Sequence, residues 1–250
     1  MKKFAKKFLV AAMACMLTVT TVAPMTAEAA PSVPKTVTVY QRGKNTTLST
    51  SFSIGGLEED SKITNVKSSK TSVVKPSYYS IYSDKSIFQS LDSSYVSKDD
   101  GASGYIGIKV LKAGNAKISY KIDGKSYSTT VKALAYKNPL KTANIMGVKS
   151  SGSTNLASKV KSSSIASVKL SSTSKDGKVT FKANSGWKII GITIENDSTG
   201  SEYEMSNYNG LSSATLYSEK FTAKQKGEVQ VTCYNTKTKA SITVFYDINQ

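Results

Sequence analysis

Asp123-Gly124 stands between two runs of alternating side chains, and this pair constrains the fold more than any other feature of the chain. A two-residue type I′ turn needs positive φ at both positions, which Asp-Gly supplies at little steric cost. The turn sets a register. Ile122 faces Lys125, Tyr120 faces Tyr127, Ile118 faces Thr129 and Ala116 faces Val131. The other face pairs Lys121 with Ser126, Ser119 with Ser128 and Lys117 with Thr130. One face is mostly apolar and the other polar, so a slip of one residue would exchange them. A hairpin with one apolar face must cover it, and in an all-β chain the usual cover is a second sheet.

The hairpin occurs twice. Gly227 lies 113 positions after Gly114. That offset aligns Ala116, Ile118 and Tyr120 with Val229, Val231 and Cys233, and Tyr127, Thr129 and Val131 with Ala240, Ile242 and Val244. The inward positions stay small or apolar throughout the second copy, while Thr236-Lys237 replaces Asp-Gly and predicts a longer loop. A second likeness, Val66–Lys75 with Val160–Lys169, has an offset of 94. The two offsets together predict a second domain of the same architecture with an insertion or an extra strand.

The first residues read as an export signal. Lys2, Lys3, Lys6 and Lys7 precede the apolar run Phe8 to Val22, and Ala27-Glu28-Ala29 fits a small-x-small cleavage site, with the cut after Ala29. The run is shorter than the ~20 residues of a membrane span, and Thr18, Thr20 and Thr21 dilute it. Cys15 lies inside the run, which argues against a lipid attachment site. No later transmembrane segment is read, nor a sorting signal or apolar anchor near Gln250. The expected localisation is secreted or extracellular, with association to the cell envelope.

Removal of the leader leaves 30 Lys+Arg against 16 Asp+Glu, a charge near +14. Arg42 is the sole arginine, Cys233 the sole remaining cysteine, and there is no histidine. Roughly 220 remaining residues make a two-domain length. Short alternating runs with polar, Gly-bearing breaks predict an all-β fold of two tandem sandwiches, at 35–134 and 141–250, joined by a linker at 135–140 containing Asn138-Pro139. Strands are expected at Thr36–Gln41, Thr46–Ser53, Ile63–Ser68, Ser72–Lys75, Ser77–Tyr82, Ile106–Leu111 and the first hairpin. In the second domain they are expected at Lys141–Lys149, Ala166–Ser171, Lys178–Ala183, Lys188–Glu195, Ser213–Lys220 and the last hairpin. Ser83 to Ser103 reads as a long loop.

Two segments carry a family likeness. Ser68-Ser69-Lys70-Thr71-Ser72-Val73-Val74 resembles the "SS-x-x-S-V-A" strand of bacterial immunoglobulin-like domains of group 2. Gly107 to Ile118, through Lys112-Ala113-Gly114-Asn115-Ala116, resembles that family's "G-x-V-x-A-x-x-x-G-T-A-x-I" segment, with Asn115 in place of Thr. The likeness covers Lys35 to Leu134. In the second domain it rests on the hairpin and the Val-Lys-Ser-Ser run. It implies immunoglobulin-like sandwiches on an exported or cell-surface bacterial protein, acting as spacer, stalk or adhesive unit. It carries over no catalytic residue.

No cofactor, metal or catalytic residue is expected. Without histidine, Ser-His-Asp and Cys-His chemistry is excluded, and Cys233 reads as a small core residue. Paired-carboxylate hydrolysis is formally open, but Glu58, Glu59 and Asp60 read as a solvated loop cluster. Asp92, Asp99 and Asp100, and separately Glu195 and Asp197, lack the loop spacing of a calcium motif. Trp187 reads as core. Tyr78, Tyr79 and Tyr82 are the candidate ligand face, although Tyr78 and Tyr79 must point to opposite sides of an extended strand. The candidate partners are anionic cell-wall polymers, glycans or surface proteins, with nucleic acid excluded as a physiological partner by export. The expected function is that of a non-enzymatic cell-surface or secreted interaction or structural protein, adhesive or binding anionic polymers. The alternative is a secreted carbohydrate-binding accessory protein or hydrolase.

Overall fold

The computed structural model describes residues 30–43, 49–58, 60–82 and 102–250. The leader with its expected cleavage at Ala29, Glu59, and Asp92, Asp99 and Asp100 with most of the expected Ser83–Ser103 loop lie outside these residues. Two compact units divide the chain: Met1–Gln41 with Thr47–Ala135, and Arg42–Thr46 with Tyr136–Gln250.

The first unit contains β1 (Thr36–Tyr40), β2 (Thr50–Leu57), β3 (Ile63–Ser68), β4 (Val74–Tyr82), β5 (Ala102–Val110), β6 (Gly114–Ile122) and β7 (Lys125–Leu134). They form two sheets, of order β1-β7-β6-β3 and β2-β5-β4. One cluster of buried side chains fills the space between them. Val37, Ile63, Ile118, Tyr120 and Val131 come from the first sheet, and Phe52, Ile54, Val74, Ile106 and Ile108 from the second. Ser32 bridges Gly55 of β2 before the chain enters β1, which runs parallel to β7. A first strand parallel to the last, with sheets ordered 1-7-6-3 and 2-5-4, is the immunoglobulin-like arrangement.

The β6–β7 hairpin has the register expected from Asp123-Gly124, residue for residue from Gly114↔Ala133 to Ile122↔Lys125. Asp123 and Gly124 take φ of 49° and 79°. Burial alternates strictly along β6, with Ala116, Ile118, Tyr120 and Ile122 buried and Asn115, Lys117 and Ser119 exposed. The expected strands Ser72–Lys75 and Ser77–Tyr82 are one strand, β4, with a register shift between Pro76 and Tyr78. Proline has no N–H to give to a ladder, and β4 tolerates it at a sheet edge.

The second unit contains β8 (Leu140–Ile145), a 3-10 helix (Leu156–Val160), β9 (Ile165–Val168), β10 (Lys178–Ala183), β11 (Trp187–Asn196), β12 (Ser201–Leu211), β13 (Ser213–Tyr217), β14 (Gly227–Asn235) and β15 (Ala240–Ile248). Its sheets are ordered β13-β10-β8 and β12-β11-β14-β15-β9. β9 runs parallel to β15 as β1 does to β7. The last hairpin keeps the expected inward positions, but its pairing is displaced by two residues from the copied register, with Val231 opposite Val244 and Cys233 opposite Ile242, because its loop is longer than the two-residue Asp-Gly turn. Its longer loop is closed by Asn235, whose Oδ1 accepts from the backbone N–H of Lys237 and Thr238 at 3.1 and 3.0 Å.

One expectation requires correction. Val66–Lys75 spans the end of β3 and the start of β4, whereas Val160–Lys169 runs from the 3-10 helix through β9. The matching letters occupy different strands, so this likeness is not a structural repeat. The extra strand does exist. It is β12, which no run of apolar residues announced. After β3 the first unit crosses to its other sheet, while after β11 the second stays in the same sheet and adds β12 at the edge.

Arg42 belongs to the second unit, far from its sequence neighbours there. Its carbonyl accepts from Ser164 N–H at 2.8 Å, and Gly43 bridges Ser163. Gly43 has φ of 105°, and a Cβ there would lie 2.5 Å from the Ser162 carbonyl oxygen, so glycine is required.

Candidate functional site

The sequence candidates fall in separate places. Cys233 is fully buried in β14 between neighbouring strands, and burial pushes its thiol well above the ordinary range. A thiol held protonated in the core is no nucleophile. Trp187 is buried at the start of β11. Glu58 is exposed and closes a short turn with Ser61, whose hydroxyl accepts from Glu58 N–H at 3.0 Å.

Tyr78 and Tyr79 are both half-buried on β4 but do not share a face. Tyr79 packs against the first unit's core. The ring of Tyr78 lies across Gly107 on the other side of the sheet, 2.0 Å from where a Cβ would stand. Tyr82 pairs with Ser103 in the same ladder, and its side chain lies outside the described residues. Tyr105 is buried on β5.

Glu195 belongs to a larger arrangement that sequence reading missed. On the face of the five-stranded sheet turned away from the core, the ladders bring four carboxylate residues into one row. Glu202 on β12 is opposite Glu195 on β11, Glu195 is opposite Glu228 on β14, and Glu228 is opposite Asp247 on β15. Adjacent strands lie ~4.8 Å apart, so the row spans about 14 Å. Glu204, Thr193, Gln230 and Phe245 form the next row, and Ser206, Gly191, Thr232 and Thr243 the one after.

The centre of this face is buried, unlike the outer face of β6. Glu195, Glu228, Gln230, Thr232, Thr243 and Phe245 are all buried, while Glu202 and Glu204 stand exposed on β12. Gln230 Nε2 donates to Glu228 Oε1 at 2.8 Å and makes a longer 3.5 Å contact to Glu195 Oε1. Thr232 and Thr243 share a hydroxyl hydrogen bond of 3.0 Å. Arg42 covers the far side, its Nη1 donating to the Thr243 carbonyl at 2.8 Å and its guanidinium lying 5.5 Å from the Phe245 ring centre.

Counting by type located the lysines but not this segregation of acids. The second unit holds eight Asp and Glu, and six of them (Glu195, Asp197, Glu202, Glu204, Glu228, Asp247) lie on or beside this sheet. The available signal was the alternation Glu202-Tyr203-Glu204-Met205, which marks a strand with acids on one face. Among the described residues, no group of three His, Cys, Asp or Glu side chains converges as a metal site.

No protein-family model and no curated protein matches the chain. Solved structures do resemble its chain trace. Domains 4–9 of the surface layer protein SbsC match at 15% identity and a TM-score of 0.31, over 90% of this chain and 32% of that one. The tandem Ig repeats of Dlar match at 10% identity and a TM-score of 0.38, over 88% of this chain and 95% of that one. The Yersinia pseudotuberculosis adhesin InvE matches at 8% identity and a TM-score of 0.25, over 86% of this chain and 57% of that one. The strand orders and the shared cores define the class independently of these likenesses: the chain is a tandem immunoglobulin-like β-sandwich protein.

Proposed function

We propose that this chain is an exported, non-enzymatic interaction module, its domains at 35–134 and 141–250 following a leader cleaved after Ala29, with the first domain of the group 2 bacterial immunoglobulin-like type. One observation carries the reading. The chemistry-bearing side chains are spent on sheet faces and cores rather than on a converging site. Cys233 is buried, the tyrosines of β4 are divided between two faces, and the carboxylates lie in a row across a sheet. Flat polar sheet faces suit recognition of a surface or a partner, and they lack the near-attack geometry that catalysis needs.

No helix among the described residues is long and apolar enough to cross a membrane. The charge near +14 that remains after the leader is removed supports retention on anionic envelope polymers. Fractionating producing cells into medium, salt-washable and wall-bound pools tests this directly. The reading expects the processed chain outside the cell, with the bound pool released between low and moderate salt. Full-length chain confined to the cytosol would overturn it. Glycan-array binding that vanishes in Tyr78→Ala would instead favour the carbohydrate-binding alternative.

A further inference from the structure

The outer face of the first unit's four-stranded sheet carries charge of one sign. β6 turns Lys117, Ser119 and Lys121 outward, and β7 turns Ser126, Ser128, Thr130 and Lys132 outward. β1 adds Thr36 and Thr38, and β3 adds Lys67. Lys67, Lys117 and Lys132 are exposed and Lys121 is half-buried. No acid and no exposed aromatic stands among the outward positions of these strands. Asp60 and Asp123 lie beyond the strand ends, where Asp123 Oδ1 accepts from the Lys62 N–H at 2.7 Å.

The ladders arrange these lysines as a track across the sheet. Lys132 on β7 is opposite Asn115, one row from Lys117, which is opposite Thr130. Lys67 on β3 is opposite Ser119, one strand and one row beyond Lys117, and Lys121 follows in the next row of β6. Strands lie ~4.8 Å apart and successive outward residues of a strand ~6.8 Å apart, so each step of the track is about 8 Å. No two of the four lysines are directly opposite, so the sheet holds them without the cost of an opposed like-charge pair.

Such a track matches a flexible chain that carries one negative charge per short repeat. Lysine meets an anion as a point charge on a flexible stem, whereas a planar carboxylate is matched best by the fork of arginine. The sole arginine, Arg42, belongs to the other unit. Ser and Thr hydroxyls fill the positions between the lysines; they donate to phosphate oxygens and pair with polyol hydroxyls. Single-stranded nucleic acid is held by exposed aromatic rings that stack its bases as well as by charge, and this face has no such ring. We propose that this face binds a linear polyol phosphate, with successive phosphodiesters over Lys132, Lys117, Lys67 and Lys121. The inference rests on the reading that the protein is held by anionic polymers, and it names the face and the polymer.

Fluorescence anisotropy of labelled poly(glycerol phosphate), titrated with the purified chain, tests this. The parent should bind at about 0.05 M salt, and binding should weaken about tenfold or more at about 0.5 M. The variant Lys67→Gln, Lys117→Gln and Lys132→Gln should lose about tenfold or more at low salt and show a flatter salt dependence. Exposed substitutions of this kind leave stability nearly unchanged, so its circular dichroism should match the parent's. A control of equal net charge, Lys141→Gln, Lys178→Gln and Lys182→Gln at exposed positions of the second unit, should bind like the parent. Equal losses in the two variants would overturn the assigned face and leave retention by overall charge standing. Polyglutamate or single-stranded DNA bound as tightly as poly(glycerol phosphate) would overturn the assigned polymer. A parent that binds none of the three polymers would overturn this inference and the envelope reading together.

Discussion

Tyr120 and Thr129 form a buried hydroxyl pair, 3.0 Å apart, within the first hairpin. Their counterparts in the second hairpin are Cys233 and Ile242, neither of which carries a hydroxyl. Both members of the pair change together, as expected when one orphaned polar atom costs more than two apolar replacements. Tyr120→Phe should therefore destabilise the protein by about 1–3 kcal/mol, and adding Thr129→Val should recover much of that loss. A double-mutant cycle in urea checks this; strictly additive losses would contradict it. Tyr246 offers the converse case. Its ring stacks on Phe181 with centroids 6.2 Å apart, but its hydroxyl is buried with no partner. Tyr246→Phe should leave the melting temperature unchanged or raise it. Arg42 combines a hydrogen bond to the Thr243 carbonyl with a ring contact to Phe245, and its planar fork is not replaced by an ammonium. Arg42→Lys should lower stability by about 1–2 kcal/mol on thermal denaturation.

Among the strands, the hairpins were the most legible. Asp123-Gly124 sets a register that local chemistry alone decides, and period-2 alternation then determines which side chains turn inward. β4 was read as two pieces because Pro76 breaks the pattern, although an edge strand absorbs the break as a bulge. β12 was not read at all. Tyr203 and Met205 are only half-buried and its other face is exposed, so its apolar signal is weak. Its place in the sheet depends on pairing with β11, a partner the local pattern does not name. Gly107 is a comparable case: nothing in the sequence shows that the ring of Tyr78 lies across it. Gly107→Ala should force that ring aside and destabilise the first unit by about 1–3 kcal/mol. A urea midpoint equal to the parent's would show that the ring moves at no cost.

Over the whole molecule, burial holds several weak acids neutral. Tyr120 is pushed up to about 12 by desolvation, and Tyr136, Tyr246 and Cys233 are raised further by the same cause. Folding favours the protonated form of each. The stability they contribute is full below their ordinary values, 9.0 for the thiol and 10.0 for the phenols, and is lost as pH rises through the folded values. The protein should hold its fold to about pH 9 and lose stability steeply toward pH 12. Buried tyrosinate absorbance should then appear together with loss of near-ultraviolet dichroism. Ionisation of every tyrosine near pH 10 with the fold intact would contradict this.

Alternation and turn chemistry determined, from the sequence by itself, that both units are built from β-strands, that the hairpin repeats, and that Cys233 lies inward. These properties depend on neighbours a few positions apart, where geometry has few choices. The tertiary structure alone decided that Arg42 caps a sheet of the second unit, that the Tyr78 and Tyr79 side chains part company, and that Glu202, Glu195, Glu228 and Asp247 stand in one row. The acids of that row come from four strands spread over 53 positions between Glu195 and Asp247, and only the order of strands in the sheet makes them neighbours.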